Sequence, residues 1–322
     1  MVSKRTIVAF LAASLFFGGT FVSVKYGLQY FPPLLFVSLR FDIGAVSLAA
    51  YVLATRSIGD LVPRTRSDIA AILAAGVSSI ALTNAFLFVG QQYTTSAIGA
   101  VIFSLNPILT PVFAAFLLNE ERLSRRTTVG MILGLLGVGL VVHPTPATIL
   151  HGGVGKLLLL GGAASCGLGS VLIRRADANL DSTARTAWAL PLGALLSHSL
   201  AYAVGERLAA VTWTLTGNIA LGYVGVFAGA GAFIAYFALL DDTGPIRANL
   251  VYYVIPLVAT VGGAVLLGEQ VSVYTVAGFL VVFAGFAVIG SEELDLRQRF
   301  SPFNIEWTNT DEGPTRPGSN AD

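Results

Sequence analysis

The sequence predicts an all-α integral membrane protein whose ten transmembrane helices form two inverted five-helix repeats. Three observations support this fold class. The composition has 55% hydrophobic and only 11% charged residues, ten apolar stretches have membrane-spanning length, and one block of residues occurs twice. Soluble domains carry about one-quarter charged residues. A soluble globule of 322 residues is therefore excluded.

Each of the ten apolar stretches approaches the roughly 20 residues that a helix needs to cross the hydrocarbon core. In the first half they cover residues 6–28, 33–53, 69–89, 94–118 and 127–142. In the second half they cover residues 156–173, 184–204, 218–240, 245–268 and 272–289. Connections such as 29–32 and 90–93 are too short to fold alone, so we expect antiparallel helical hairpins with no inserted soluble domain.

The duplicated block marks the two halves. In order, the first copy contains Pro107, Glu121, Gly130 and Gly137, and the second contains Pro256, Glu269, Gly278 and Gly285. From the glutamate onward, the spacing is nine and then seven residues in both copies. We predict a first repeat at 1–143, an external linker at 144–154, a second repeat at 155–290, and a disordered cytoplasmic tail at 291–322. That tail has few apolar residues with which to build a core.

The distribution of basic residues predicts the orientation, because loops rich in lysine and arginine stay on the cytoplasmic side. With the N-terminus inside, fifteen of the 19 lysines and arginines lie in cytoplasmic segments, whereas only Lys156 and Arg207 lie outside. Both termini are therefore predicted to be cytoplasmic. Five spans per half is an odd number, so the two copies must have opposite orientations. Inverted repeats of this kind are typical of alternating-access transporters.

Residues 17–21 lead to Lys25 in the first span, residues 39–41 lie in the second span, and residues 166–167 lead to Arg174 in the sixth. Together with the duplicated block, these residues resemble the EamA-type branch of the drug/metabolite transporter superfamily. Relatives often carry tryptophan where Phe17 and Cys166 stand. The resemblance implies that helices one, three, four, six, eight and nine surround a central cavity, and that relatives transport amino acids, other metabolites or drugs.

Two stripes of small and polar residues are candidate walls of a substrate path. At helical spacing, the fourth helix carries Ser96, Gly99, Phe103, Asn106 and Thr110, and the ninth carries Asn249, Tyr252, Pro256, Thr260 and Gly263. Asn106 and Tyr252 are the main substrate-binding candidates. If the family layout holds, Asn84, Tyr236 and Thr20 face the same cavity. The alternative for each of these side chains is ordinary packing, with hydrogen bonds to neighbouring helices.

Charged residues within the spans are candidates for binding or ion coupling, because charge is costly in lipid. Arg40 lies roughly 10 Å below the outer end of its helix. It binds either a substrate carboxylate or the backbone carbonyls of a neighbouring helix. Asp42 points away from Arg40, and Asp42 and His198 are both candidates for proton coupling. Lys25 is expected to extend toward the outer surface, and Glu269 to stabilise the start of the helix that follows it.

We predict a secondary active transporter of small metabolites in the plasma membrane, with export the expected direction. The predicted partners are the lipid bilayer, a small-molecule substrate and protons. No nucleic-acid partner, cofactor or metal is expected. No phosphate-binding loop or hydrolase motif occurs in the sequence, so an enzyme is not expected. The alternatives are an intramembrane enzyme that uses Arg40, Asp42 or His198, and a structural or sensory membrane protein.

Overall fold

A computed structural model describes residues 4–118, 125–142, 153–232, 235, 239 and 251–299. Within these residues the chain forms helices and turns, and no β-strand occurs. Five helical stretches are long and apolar enough to cross a membrane: Lys4–Gly27, Pro33–Thr55, Arg66–Gln91, Ser96–Leu117 and Gly153–Ala176. Shorter apolar helices in the described residues cover Thr128–Val141, Leu215–Gly229, Val254–Leu267 and Val273–Gly285. The predicted all-α class is confirmed, and the apolar helices agree with a membrane protein.

The described part of the first half contains eight α-helices, some of which are parts of one span. These are α1 (Lys4–Gly27), α2 (Pro33–Thr55), α3 (Ile58–Leu61), α4 (Arg66–Leu73), α5 (Thr83–Gln91), α6 (Ser96–Phe103), α7 (Asn106–Leu117) and α8 (Arg125–Val142). A π-helical segment, Ala74–Leu82, joins α4 to α5. The third span therefore runs without interruption from Arg66 to Gln91.

The described part of the second half contains five α-helices. These are α9 (Gly153–Ala176), α10 (Ser182–Ala203), α11 (Leu215–Gly222), α12 (Val251–Leu267) and α13 (Val273–Arg299). A second π-helical segment, Tyr223–Gly231, continues α11. A short 3-10 turn, Leu208–Ala210, precedes α11.

The third span of the first half and the described part of the eighth span have the same local structure. Each has eight α-helical residues followed by nine π-helical residues. Each begins after a threonine whose side chain accepts a backbone N–H three residues later, Thr65 from Asp68 and Thr214 from Gly217. In each π segment the third residue is a glycine that packs closely on another helix. A Cβ at Gly76 would lie 2.7 Å from Leu192, and one at Gly225 would lie 2.8 Å from Ile43.

The fourth span, predicted at residues 94–118, covers Ser96–Leu117 and contains a local break at Ser104 and Leu105 that was not predicted. The helix α6 ends at Phe103, and α7 begins at Asn106. At the break, the N–H of Leu105 donates to Ile102 O at 3.1 Å, so the backbone tightens to a three-residue turn. Pro107 has no N–H to donate to the preceding turn, which is the physical reason for the break.

The glycines of the duplicated block form the contact between α8 and α13. A Cβ on Gly137 would lie 2.7 Å from Gly278 O, and one on Gly285 would lie 2.6 Å from Gly130 O. The two backbones therefore touch without intervening side chains. The absence of a side chain at these glycines allows the close approach of the two helices.

The last helix is longer than expected. The helix α13 continues to Arg299, although residues from 291 onward were predicted to be disordered. Residues 291–299 contain no glycine or proline and are mostly good helix formers, so the helix of the tenth span has no local reason to stop at 290. The rest of the predicted tail, residues 300–322, lies outside the described residues.

Contacts between the halves define two ends of the helix bundle. At the Glu269 end, formed by residues 28–34, 91–96, 204–214 and 267–273, the Glu206 carboxylate accepts the N–H groups of Leu34 at 3.2 Å and Leu35 at 2.8 Å. At the Asp68 end, formed by residues 55–68 and 176–182, the Asp68 carboxylate accepts the N–H groups of Asn179 and Leu180, both at 3.1 Å. Carboxylates at both ends therefore connect the two halves.

Candidate functional site

Asn106 lies at the break in the fourth span and bonds across to the helix α9. Its Nδ2 donates to Cys166 Sγ at 3.1 Å. The Thr110 hydroxyl shares its proton between Asn106 O at 2.8 Å and Asn106 Oδ1 at 3.3 Å. Gly167 packs beside this group, because a Cβ there would lie 3.3 Å from Thr110 Oγ1 and 3.4 Å from Asn106 Oδ1. The amide of Asn106 thus joins α7 to α9 at the place where the helix is interrupted.

Arg40 and Asn84 form a second group, between α2 and α5. Arg40 Nη1 donates to Asn84 Oδ1 at 2.9 Å, and Asn84 Nδ2 donates to Ile80 O at 2.9 Å. The guanidinium carbon lies 5.5 Å from the ring centre of Phe41 and 5.7 Å from that of Phe88. Arg40 Nε is buried and has no hydrogen-bond partner. Within the described structure, the partner of Arg40 is therefore a neutral amide and two aromatic rings.

Asp42 and His198, which were predicted as separate coupling candidates, form one pair. His198 Nε2 lies 2.8 Å from Asp42 Oδ2, which connects α10 to α2. The His198 side chain is 27% exposed and that of Asp42 is 46% exposed. The imidazole also stacks on Tyr202, with ring centres 6.3 Å apart. Asp42 faces α10 whereas Arg40 faces α5, so the expectation that they point apart is confirmed.

The other predicted site residues are placed as follows. Thr20 is buried, and its hydroxyl donates to Phe16 O at 3.0 Å within α1. Tyr252 lies on α12, partly buried against the core. Tyr236 falls outside the described residues. The roles of these three residues stay predictions.

Direct hydrogen bonds therefore join the predicted residues into separate polar groups, one around Asn106, one around Arg40 and one around Asp42. Within the described ranges, no cluster of three or more His, Cys, Asp or Glu side chains could hold a metal ion. One open cavity of about 450 Å³ lies between α1 and the second π segment, lined by Lys4, Arg5, Val8, Ala9, Ala12, Gly231 and Ala235. The predicted site residues do not line it.

The sequence analysis missed a polar network at the Glu269 end. Glu269 accepts hydrogen bonds from the N–H of Ser96, with distances of 3.0 Å to Oε1 and 2.9 Å to Oε2, and from the Ser96 hydroxyl at 3.3 Å. Glu269 does stabilise a helix start, as predicted, but it is that of α6 and not that of the helix that follows it. The nine-residue spacing to Gly278 identified Glu269, but nothing in the sequence indicated Ser96 as its partner.

Lys25 belongs to the same network and does not simply extend toward the surface. Its Nζ donates to Gln91 O at 3.0 Å and to Gln92 O at 3.2 Å, at the end of α5. The side chain of Gln91 is fully buried and donates to Phe21 O. The turn between α5 and α6 is therefore held by α1 on one side and by Glu269 on the other.

Comparison with known proteins identifies relatives over most of the chain. An uncharacterized transporter of Archaeoglobus fulgidus is 26% identical over 287 residues, covering 89% of this chain and 98% of the relative. The uncharacterized transporter YoaV of Bacillus subtilis is 25% identical, covering 87% of this chain and 95% of YoaV. The uncharacterized inner membrane transporter YedA of Escherichia coli K12 is 29% identical, covering 86% of this chain and 88% of YedA.

A solved crystal structure shares the fold, with a TM-score of 0.62 and 21% identity over 92% of this chain and 99% of that chain. The sequence model of the EamA-like transporter family matches the chain twice, at residues 4–143 and at residues 153–291. The resemblance seen in the sequence is thereby confirmed, and the chain belongs to the EamA-like transporter family.

Proposed function

We propose that the chain is a secondary active transporter that moves small metabolites across the plasma membrane by alternating access. The observation that carries this proposal is the double match to one transporter family, at residues 4–143 and 153–291. The matching α and π segments at Arg66–Leu82 and Leu215–Gly231 support a common origin of the halves. Two related halves allow rocking about a shared site near the middle of the membrane.

The proposed arrangement is ten spans in two inverted repeats, with both termini in the cytoplasm. The bias of lysine and arginine toward the predicted inner loops supports this orientation. In this frame the Glu269 end is external and the Asp68 end is cytoplasmic. The name of YedA, an inner membrane transporter, supports the plasma membrane as the location. Amino acids and related compounds are the proposed substrates, and export is the proposed direction.

The proposed substrate path runs along the broken fourth span and α12. Asn106 sits where two half-helices meet, and discontinuous helices form the substrate sites of many transporters. Tyr252 on α12, together with Thr20, Asn84 and Tyr236, completes the proposed set of contacts. Arg40 is included because, among the described residues, its buried guanidinium has only the neutral Asn84 and two aromatic rings as partners.

The proposed coupling site is the pair of Asp42 and His198. A carboxylate and an imidazole 2.8 Å apart can share or release a proton, and histidine typically changes charge between pH 5 and 8.

We expect Asp42→Asn to abolish the dependence of flux on an imposed pH gradient while leaving exchange of labelled solute intact. Flux is to be measured in proteoliposomes with and without the gradient. Ser199→Ala, a change at an exposed position on the same α10 helix, is the control. Unchanged gradient dependence in Asp42→Asn would remove this pair from the mechanism.

Counterflow in proteoliposomes tests the proposed function itself. Vesicles containing purified protein are loaded with an unlabelled amino acid, nucleoside or cationic drug and diluted into the labelled compound. We expect transient accumulation of label above the level in protein-free vesicles for at least one class. Chemical conversion of the compound without net flux would indicate an intramembrane enzyme. If none of these classes exchanges, the proposed substrate range is wrong.

A further inference from the structure

Two charged side chains from other parts of the bundle form hydrogen bonds to the two sides of the turn between α5 and α6. On one side, the Glu269 carboxylate accepts the N–H and hydroxyl of Ser96 at the start of α6. On the other side, Lys25 Nζ donates to the carbonyls of Gln91 and Gln92 at the end of α5. Anions are favoured at helix starts and cations at helix ends, and hydrogen bonds to charged groups are stronger than neutral ones.

Two glycines place the Glu269 carboxylate against Ser96. Gly268 has φ of +65°, which turns the chain sharply after α12. The Glu269 N–H then donates to Gly263 O at 3.1 Å. A Cβ at Gly263 would lie 2.3 Å from Glu269 Oε2 and 3.3 Å from Ser96 Cβ, so only glycine leaves room for the carboxylate. The two glycines thus position the Glu269 carboxylate beside Ser96.

Capping of α6 does not by itself account for Glu269, because α6 already has a cap. The Thr95 side chain accepts the N–H of Ile98 at 3.3 Å, which is the usual N-cap bond. The bond from Glu269 instead connects the two family domains, since Ser96 lies in the match at 4–143 and Glu269 in the match at 153–291. This bond must break if the start of α6 and the turn after α12 separate at this end of the bundle.

The carboxylates of Glu206 and Asp68 also connect the two domains, but they serve a different purpose. Glu206 lies at the Glu269 end and Asp68 at the opposite end, and both bonds are made in the same structure. Glu206 joins the end of α10 to the start of α2, and the pair of His198 and Asp42 joins the same two helices again, so α2 and α10 stay together without the Glu206 bond. Glu206 therefore provides a matched control, because it is a carboxylate at the same end that also accepts N–H groups at a helix start.

We propose that Glu269 is the positioning residue of an external gate, which closes the outer end of the transport path by holding Ser96 and is released when that end opens. This inference rests on the proposed function, from which the external location of the Glu269 end is taken. Lys25 supports the gate by fixing the other side of the same turn. Neither residue is required to contact the substrate.

The native Cys166, which bonds Asn106 beneath this turn, reports on the gate. In right-side-out vesicles, a membrane-impermeant thiol reagent is expected to react with Cys166 at least tenfold faster in Glu269→Gln than in the unmodified protein. Gly263→Ala, which retains the charge but displaces the carboxylate, should have a similar effect. Glu269→Asp should restore slow labelling in part, because its carboxylate still accepts the Ser96 N–H. In Glu206→Gln we expect a labelling rate within twofold of the unmodified protein.

The proposal is overturned if Glu269→Gln folds with an unchanged melting temperature and Cys166 is labelled no faster. An equal acceleration in Glu206→Gln also overturns it, because that result indicates general loosening of the external end. The assay needs no substrate, so its outcome is separate from that of the counterflow experiment. Faster labelling without counterflow would support the gate and contradict the proposed transport of the tested solutes.

Discussion

Replacing Gly137 with leucine is expected to force α8 and α13 apart and to cause a large loss of stability. A Cβ at this position would lie 2.7 Å from both Gly278 O and the backbone N of Val282. Backbone atoms at that distance cannot be avoided by a change of rotamer. Overpacking of this kind typically costs about 1 to 3 kcal/mol. The free energy of unfolding and the melting temperature in detergent should both fall, and Gly278→Leu should behave similarly because a Cβ there would lie 2.5 Å from Gly137 O.

Gly139→Leu is the matched control for this prediction. Gly139 lies on the same α8 helix, two residues from Gly137, and a Cβ there would have no neighbouring atom within 4 Å. The same side chain is therefore added on a free face of the same helix. Comparable melting temperatures for Gly137→Leu and Gly139→Leu, measured by intrinsic fluorescence, would contradict the packing of α8 on α13.

Asn106→Ala is expected to reduce the initial rate of counterflow at least tenfold while membrane insertion stays normal. The amide connects α7 to Cys166 on α9 and accepts from Thr110, so alanine removes a polar group and leaves two others without this partner. A tenfold loss of rate corresponds to about 1.4 kcal/mol. Tyr252→Phe removes only the hydroxyl. It should also lower the rate of counterflow, because that hydroxyl belongs to the proposed set of substrate contacts.

The controls for these two variants change the same residue types at exposed positions. Asn218 is exposed near the start of α11, and Tyr51 is 50% exposed on α2. Asn218→Ala and Tyr51→Phe should therefore transport at the unmodified rate. Wild-type rates in both Asn106→Ala and Tyr252→Phe would show that the proposed path along the fourth span and α12 is wrong.

The positions of the helices could largely be predicted from the sequence, because apolar stretches and prolines indicate where a span begins and ends. The second span was expected at residues 33–53 and is Pro33–Thr55, and Pro33 accounts for its precise start. The two π segments could not be predicted. Within them Gly76 packs on Leu192 and Gly225 packs on Ile43, and such contacts between distant segments are not encoded by the local sequence.

Polar side chains could be identified from the sequence, but their partners could not. Asp42 and His198 were chosen because each is ionisable within an apolar span, yet they are 156 positions apart. Glu269 and Ser96 are 173 positions apart. Contacts over such separations depend on how the apolar segments pack, and many arrangements satisfy the same hydropathy pattern. The break at Asn106 had a local signal in Pro107, which the sequence analysis did not use.

The central claim is that two related halves cross the membrane with opposite orientations, and cysteine accessibility tests it most directly. Gln29 and Asp177 are both exposed, and each lies in the loop after the first helix of its half. In a Cys166→Ser background, Gln29→Cys should react with an impermeant maleimide in intact cells. Asp177→Cys should react only after permeabilisation. Reaction of both cysteines from the same side of the membrane would contradict the inverted arrangement and the transport mechanism that depends on it.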